Sequence, residues 1–288
     1  MLPIIFALIT YVGWASGDIF TTVGSRKIGA YSMAFWTCVF GFLISLPYIP
    51  FALGNIKNST PEILLFNIGL SAIFAISWFT FNKALEISNP TIVGTICSGF
   101  APLVVVFSIV FLGEKITSTQ TAVIILVLIG LILTTLDVKV FKKDFKLDKG
   151  VLLSILTMFL WGVYYTFVKI PIREIGWYWP FIISLTMTVG LYFIFLKIKK
   201  VRLTNPFSKG ALGPILGSAV LTTAGTFSFA VSLGIGISAI VAPIAGSYPT
   251  LFVLLSYLVF RERVTKQQIF GILLTLAGIV ALAFSIGA

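Results

Sequence analysis

Asp18 is the one carboxylate set well inside an apolar run of the sequence. An ionised acid at such a depth costs about 2.5 to 3.5 kcal/mol or more unless it is hydrated, paired or protonated. Two chemistries follow, and both stay open: a counter-charge for an amine or a proton, or a fixed ion pair with Lys83 or Arg26, whose apolar runs end on the same side. Around this acid the apolar runs place Tyr11, Trp14, Trp36 and Trp78 in the first half of the chain, and Trp161, Tyr164, Tyr165 and Tyr248 in the second. Asn82, Ser98, Thr226 and Ser247 add neutral polar groups. A cavity lined by such rings and hydroxyls suits a small amphipathic organic molecule, although each ring taken alone is more often packing. The candidate substrate-binding residues are therefore Tyr11, Trp14, Asp18, Trp78, Asn82, Ser98, Trp161, Tyr165, Thr226, Ser247 and Tyr248.

Catalysis and metal chemistry fit poorly. The chain has no histidine, which removes His-based triads, His-ligated zinc and His proton relays. An intramembrane enzyme needs a polar dyad, and the runs offer one central acid. No catalytic residue, metal or cofactor is expected, beyond a proton that Asp18 could carry.

The elements that must hold these residues come from a duplication. Phe81 to Thr117 is written again as Phe229 to Thr265, with Trp14 answered by Trp161. Gly99 and Pro102 match Gly246 and Pro249 at a spacing of 147, while Ser108 and Glu114 match Ser256 and Glu262 at 148, which implies a one-residue insertion after Pro249. Proline lacks a backbone donor and clashes with the carbonyl a turn earlier, so each Gly-x-x-Pro step predicts a kink with a freed carbonyl. At mid-membrane depth such backbone must face protein or a water-filled cavity. Gly99, Pro102, Gly246 and Pro249 thus read as paired gating positions, with a further kink at Pro243.

Composition sets the medium. A 58% hydrophobic content, 10% charge and a mean hydropathy of +1.09 leave too little polar surface for a water-soluble domain. The apolar runs are long and continuous rather than alternating, so they read as helices. Ten spans are predicted, at about 3–23, 31–53, 62–83, 90–112, 119–136, 150–169, 178–196, 211–233, 237–260 and 267–286. Residues 1–136 form the first five-helix repeat, 137–149 a charged linker and 150–288 the second repeat. Five is odd, so the second repeat enters the membrane the other way up.

The net charge of +11 sits in short links without interleaved aromatics, which argues against nucleic acid. Links after the odd-numbered spans carry 16 Lys and Arg against four on the other face, namely Lys57, Lys115, Lys169 and Arg173. The positive-inside rule makes the richer face cytoplasmic, with the linker there and both termini outside. A prokaryotic plasma (inner) membrane is the expected location. Cys38 and Cys97 read as packing residues, Trp177 to Trp179 as an interfacial belt, and the first run as a retained span. Asn58-Ser-Thr is best explained as a chance glycosylation sequon. Partners are the lipid bilayer and a small-molecule substrate, with monomer and homodimer both open.

Inverted repeats give a protein two near-equivalent conformations, one open to each side, which is the symmetry alternating access uses. The residues Trp14 and Trp161, Gly99 to Pro102 with Gly246 to Pro249, and the span-end signatures Gly113-Glu114-Lys115-Ile-Thr117 and Arg261-Glu262-Arg263-Val-Thr265 carry a resemblance. Essentially the whole chain resembles the drug/metabolite transporter superfamily, in particular its ten-span EamA-type, YddG-like exporters. The resemblance implies a ten-helix basket, a central cavity lined by the first, third, fourth, sixth, eighth and ninth spans, and transport without ATP. It also implies cytoplasmic termini, against the charge count. An amino acid or related amphipathic compound is the expected substrate. A sugar, nucleotide sugar or phosphorylated metabolite is the alternative, and a lipid scramblase or channel the alternative of another class.

Overall fold

The computed structural model describes residues 1–57, 59–136 and 147–285. Asn58 and the linker from Asp137 to Lys146 lie outside them. Among the described residues every regular element is helical, and ten helical segments are long and apolar enough to cross a membrane. They run Leu2–Ile28, Ala30–Ile56, Pro61–Ile87, Pro90–Leu112, Ser118–Thr135, Lys149–Ile175, Tyr178–Ile198, Leu212–Ile235, Ser238–Phe260 and Lys266–Ser285. The first, third and sixth continue four to six residues beyond the apolar runs, because a helix keeps its hydrogen bonds after the side chains turn polar. The starts of the third to sixth spans are capped locally: Thr60, Asn89 and Asp148 each accept from a first-turn amide, and Thr117 with Gln120 forms a full capping box.

Helix boundaries give the register of the duplication. The first and sixth spans begin and end 147 apart, and each closes on a glycine with positive φ, Gly29 (84°) and Gly176 (76°). From the start of the next span onward the spacing is 148: Ala30 with Tyr178, Ile87 with Ile235, Pro90 with Ser238, Ser118 with Lys266. The extra residue therefore lies between Gly176 and Tyr178, not after Pro249. This corrects the sequence alignment and has a consequence at the kinks. The fourth span breaks at Gly99 and the ninth at Ser247, so these two are equivalent, and the two Gly-x-x-Pro steps sit one residue out of phase. Both breaks fall within a turn before their proline, as the carbonyl clash requires. The helix runs unbroken through Pro243.

Packing follows a two-fold pattern. The second, fourth and fifth spans pack on their own copies, the seventh, ninth and tenth; the first packs on the eighth and the sixth, in return, on the third. Small residues allow this closeness, as is usual where no hydrophobic force drives helices together. A Cβ on Gly13 would lie 2.8 Å from Leu221 O and 2.9 Å from Gly225 Cα.

The ends of the spans gather on two faces. On one, Arg26 meets Glu262 at 3.9 Å, Lys27 Nζ donates to Gly210 O at 2.9 Å and Tyr31 donates to Glu86. On the other, Trp179 Nε1 donates to Ala52 O at 2.8 Å and Lys169 Nζ to Gly236 O at 2.6 Å. The fourth and ninth spans both end in a left-handed residue, Gly113 (φ 65°) and Arg261 (φ 57°). Only glycine holds that conformation without strain, so Arg261→Gly is expected to stabilise the protein by about 1 kcal/mol and Gly113→Ala to destabilise it by a similar amount, read as opposite shifts in Tm.

Candidate transport site and gate

Each repeat opens with a tryptophan that sits in an equivalent box. Trp14 meets Phe229 at 5.3 Å and Tyr248 at 5.5 Å between ring centroids, both edge-on. Trp161 meets Phe81 at 5.1 Å and Phe100 at 5.9 Å, the same two positions of the other repeat. The third wall differs. Trp14 Nε1 donates to Thr226 Oγ1 at 2.9 Å, whereas the residue 148 before Thr226 is Trp78, whose ring packs edge-on to Trp161 at 6.0 Å. Trp161 Nε1 is accordingly buried without a hydrogen-bond partner among the described residues. A buried indole N–H ordinarily finds an acceptor; here a ring stands where the other repeat has one.

The two-fold symmetry is broken most clearly at Asp18 and Tyr165, which are repeat mates. Tyr165 is buried at the centre, 6.0 Å from Trp14, 5.4 Å from Phe100 and 5.2 Å from Phe229. Asp18 is partly exposed, yet it lies on the inner stripe of the first span with Ala7, Tyr11 and Trp14. The first span continues to Ile28, ten residues beyond Asp18, or about 15 Å at the helical rise. Asp18 is therefore deeper than the predicted helix end at residue 23 implied. The fixed ion pair is not formed: Lys83 pairs with Glu86 at 2.9 Å and Arg26 with Glu262.

The remaining candidates divide. Tyr11 is buried and its hydroxyl lies 2.7 Å from Thr250 Oγ1, tying the first span to the ninth. Tyr11→Phe is expected to lower stability by about 0.6 kcal/mol, the usual size of an interhelical hydrogen bond in a membrane, read as a small fall in Tm. Ser98 Oγ and Ser247 Oγ donate within their own helices, to Thr95 O at 2.7 Å and Pro243 O at 2.6 Å, so either hydroxyl could meet a ligand only as an acceptor. Asn82 donates to Trp78 O at 2.7 Å and lies away from the central rings, in a cleft of about 190 Å³ with Tyr31, Lys83 and Tyr192 on the Arg26 face. A second cleft, of about 280 Å³, lies between the sixth, seventh and eighth spans and is lined by Tyr165, Trp177, Thr226 and Phe229 among others. Tyr178, expected at the membrane interface, is 1% exposed and donates to Ser45 O at 2.9 Å. Its ring is part of the packing on that side.

The group that sequence reasoning missed is at the opposite face from Arg26. Lys169, read as an end-placed base, is 2% exposed, because the sixth span runs on past it to Ile175. Its Nζ lies 2.5 Å from Glu114 Oε1. Glu114 also accepts from the backbone amides of Ser238 (3.0 Å) and Ala239 (2.9 Å), capping the ninth span from the other repeat. Burial raises the Glu114 carboxyl, but the Lys169 ammonium and the two amides outweigh it and hold the group below its ordinary value. Three spans are thus clamped together by one carboxylate. A lysine flanked by Val168 and Ile170 was the available signal.

Among the described residues the Arg26 face shows no equivalent carboxylate clamp. The mate of Lys169 is Thr22, and the position matching Ser238 is Pro90, which has no amide proton to give. Thr91 N donates instead to Asn89 Oδ1, at 2.9 Å. Glu262 and Arg26 are each 60% exposed at 3.9 Å, a pairing worth at most about 1 kcal/mol. The half-helices respond accordingly: every residue of Ser238–Gly246 is buried, against only Ile92, Val93, Cys97 and Ser98 in Pro90–Ser98.

Ten membrane helices in two interlocked repeats, around a ringed centre closed from one side, define a duplicated integral membrane protein of transporter type. The model of the EamA-like transporter family matches residues 1–136 and 148–284. The chain belongs to that family, whose members are membrane transporters of small compounds. It is also similar to an uncharacterized protein of Methanocaldococcus jannaschii, 28% identical over 139 residues that make up 48% of this chain and 99% of the relative. A solved crystal structure of a protein superimposes with a TM-score of 0.80 at 14% identity, covering 98% of this chain and 96% of the other, and shows the same fold.

Proposed function

We propose that the protein is a secondary carrier that moves a small amphipathic metabolite, an amino acid or related compound, by alternating access about the Trp14 and Trp161 boxes. The observation that carries this reading is the inequality of two equivalent half-helices. Ser238–Gly246 is buried throughout and clamped by Glu114, while only Ile92, Val93, Cys97 and Ser98 are buried in Pro90–Ser98. Two copies of one element held in different packings are what a carrier caught on one side of its cycle presents. The positive-inside count makes the Arg26 face cytoplasmic, so this conformation is open inward and both termini lie outside. Residues 1–136 and 150–288 act as the two moving repeats, with 137–149 joining them on the cytoplasmic side, in a prokaryotic plasma membrane.

Counterflow in proteoliposomes tests the reading. After a thermal-shift screen of metabolites on purified protein, vesicles loaded with an unlabelled hit are expected to accumulate labelled substrate transiently, with saturation and competition. Equilibration that neither saturates nor overshoots would identify a channel or scramblase and end the carrier reading.

A further inference from the structure

The acid at Asp18 has a position, an exposure and a set of neighbours that together specify a ligand. The lipid-facing stripe of the first span is Ile5, Ile9, Val12 and Phe20, between 39% and 50% exposed. At 3.6 residues per turn Asp18 points to the opposite side, in line with Ala7, Tyr11 and Trp14, which are at most 8% exposed. An inward-pointing side chain that is nevertheless partly exposed borders open space inside the bundle. Trp14, one turn away on the same stripe, packs edge-on to the Tyr248 ring at 5.5 Å. The carboxylate has neither hydrogen bond nor ion pair among the described residues, and both bases that could reach it are engaged with other acids. The repeat mate, Tyr165, carries no charge, so the equivalent position of the second half supplies nothing to balance it.

We infer that Asp18, with the rings of Trp14 and Tyr248, binds the ammonium group of the transported compound. A carboxylate without a counter-ion in a medium of low polarity attracts a cation, and aromatic faces add to that attraction while accepting the apolar part of an organic one. The hydroxyl of Thr226 gives its proton to Thr222 O, and no central base is present to hold a substrate carboxylate. The recognised feature is thus the ammonium alone: a primary amine binds as well as the amino acid that carries the same side chain. This rests on the carrier reading above and narrows its substrate class.

Three matched probes separate the outcomes: phenylalanine, phenethylamine and 3-phenylpropionate, each measured by thermal shift and by competition on the purified full-length protein. Phenylalanine and phenethylamine are expected to bind comparably, and 3-phenylpropionate not at all. Asp18→Asn is expected to weaken both by about thirtyfold or more, as loss of one partner of a desolvated charge pair does. Asp18→Glu should recover part of it, with Tm of the unliganded protein reporting that each variant folds. Binding of 3-phenylpropionate equal to that of the amine, or affinity unaltered in Asp18→Asn, overturns the ammonium site. So does the absence of binding by any of the three while protons alone shift the wild type and not Asp18→Asn. Counterflow of another substrate would leave the carrier reading standing in each of these cases, whereas ammonium binding without counterflow would remove the carrier reading and keep the site.

Discussion

Lys169→Met is expected to release the closed face. The substitution leaves Glu114 buried, 8% exposed at its side chain, without the charge it faces. Removing one partner of a buried pair costs about 3–5 kcal/mol, much of it the penalty on the orphaned charge. Here the protein has an escape that a rigid core lacks, since opening that face returns Glu114 to water. A cysteine placed at the fully buried Ala242, with Cys38 and Cys97 replaced by alanine, reports the change through an impermeant maleimide. Labelling from the Glu114 face is expected to quicken by about a hundredfold or more in Lys169→Met. In the double variant Lys169→Met/Glu114→Leu much of the protection should return, because the pair is replaced by apolar groups. Unchanged labelling in the single variant would show that closure is held elsewhere.

The pH response of the same clamp has a definite sign. The folded-state carboxyl of Glu114 is depressed, so its contribution is present above the ordinary glutamate value of about 4.3 and is lost only as pH falls through the depressed one. Protection of the Ala242 cysteine should therefore be flat across neutral pH and disappear only under strongly acid conditions. A loss of protection near pH 6 would assign closure to another group.

The second large effect lies on the two-fold axis, where the fifth span packs on the tenth. A Cβ on Gly130 would stand 2.6 Å from Thr275 N and 2.8 Å from Gly271 O; one on Gly271 would stand 2.7 Å from both Gly130 O and Thr134 N. Backbone atoms cannot rotate aside as side chains do. Gly130→Val and Gly271→Val are each expected to destabilise by about 3 kcal/mol or more, the upper end for overpacking, read as a large fall in Tm and loss of folded yield. Gly69→Ala is the matched control: its Cβ meets nothing within 4 Å in the third span, so the higher helix propensity should raise stability by about 0.5–1 kcal/mol. A Gly130→Val protein as stable as its parent would mean that the fifth and tenth spans do not meet through these glycines.

The fold was largely legible because hydrocarbon imposes a length on every apolar run, and a duplication prints each boundary twice. The register was legible only in part. Matching prolines suggested an insertion after Pro249, while the helix ends place it beside Trp177, since clash with an upstream carbonyl tolerates a one-residue shift in where the proline stands. Of the candidate site, Trp14, Trp161, Tyr165, Tyr248 and Asp18 could be proposed because their types are costly or specific inside a membrane. Ser98 and Ser247 were legible as polar residues but not as donors to their own helices, a matter of rotamer rather than of sequence. Glu114 and Lys169 are 55 residues apart and meet across the repeats, so neither local periodicity nor composition could pair them.

On the proposed alternating-access cycle, the one-sided clamp at Glu114 also sets what the two sides of the membrane sense. A carrier whose empty form rests open to the cytoplasm answers to a ligand there at nearly its intrinsic affinity. From outside, the same site is available only in the small fraction of molecules that have let go of the ninth span, and the apparent dissociation constant rises by the inverse of that fraction. The difference is one of poise rather than of direction. At equal intrinsic binding such a carrier reads a low cytoplasmic concentration and requires a much higher external one for the same occupancy, although the gradients alone decide which way net material moves.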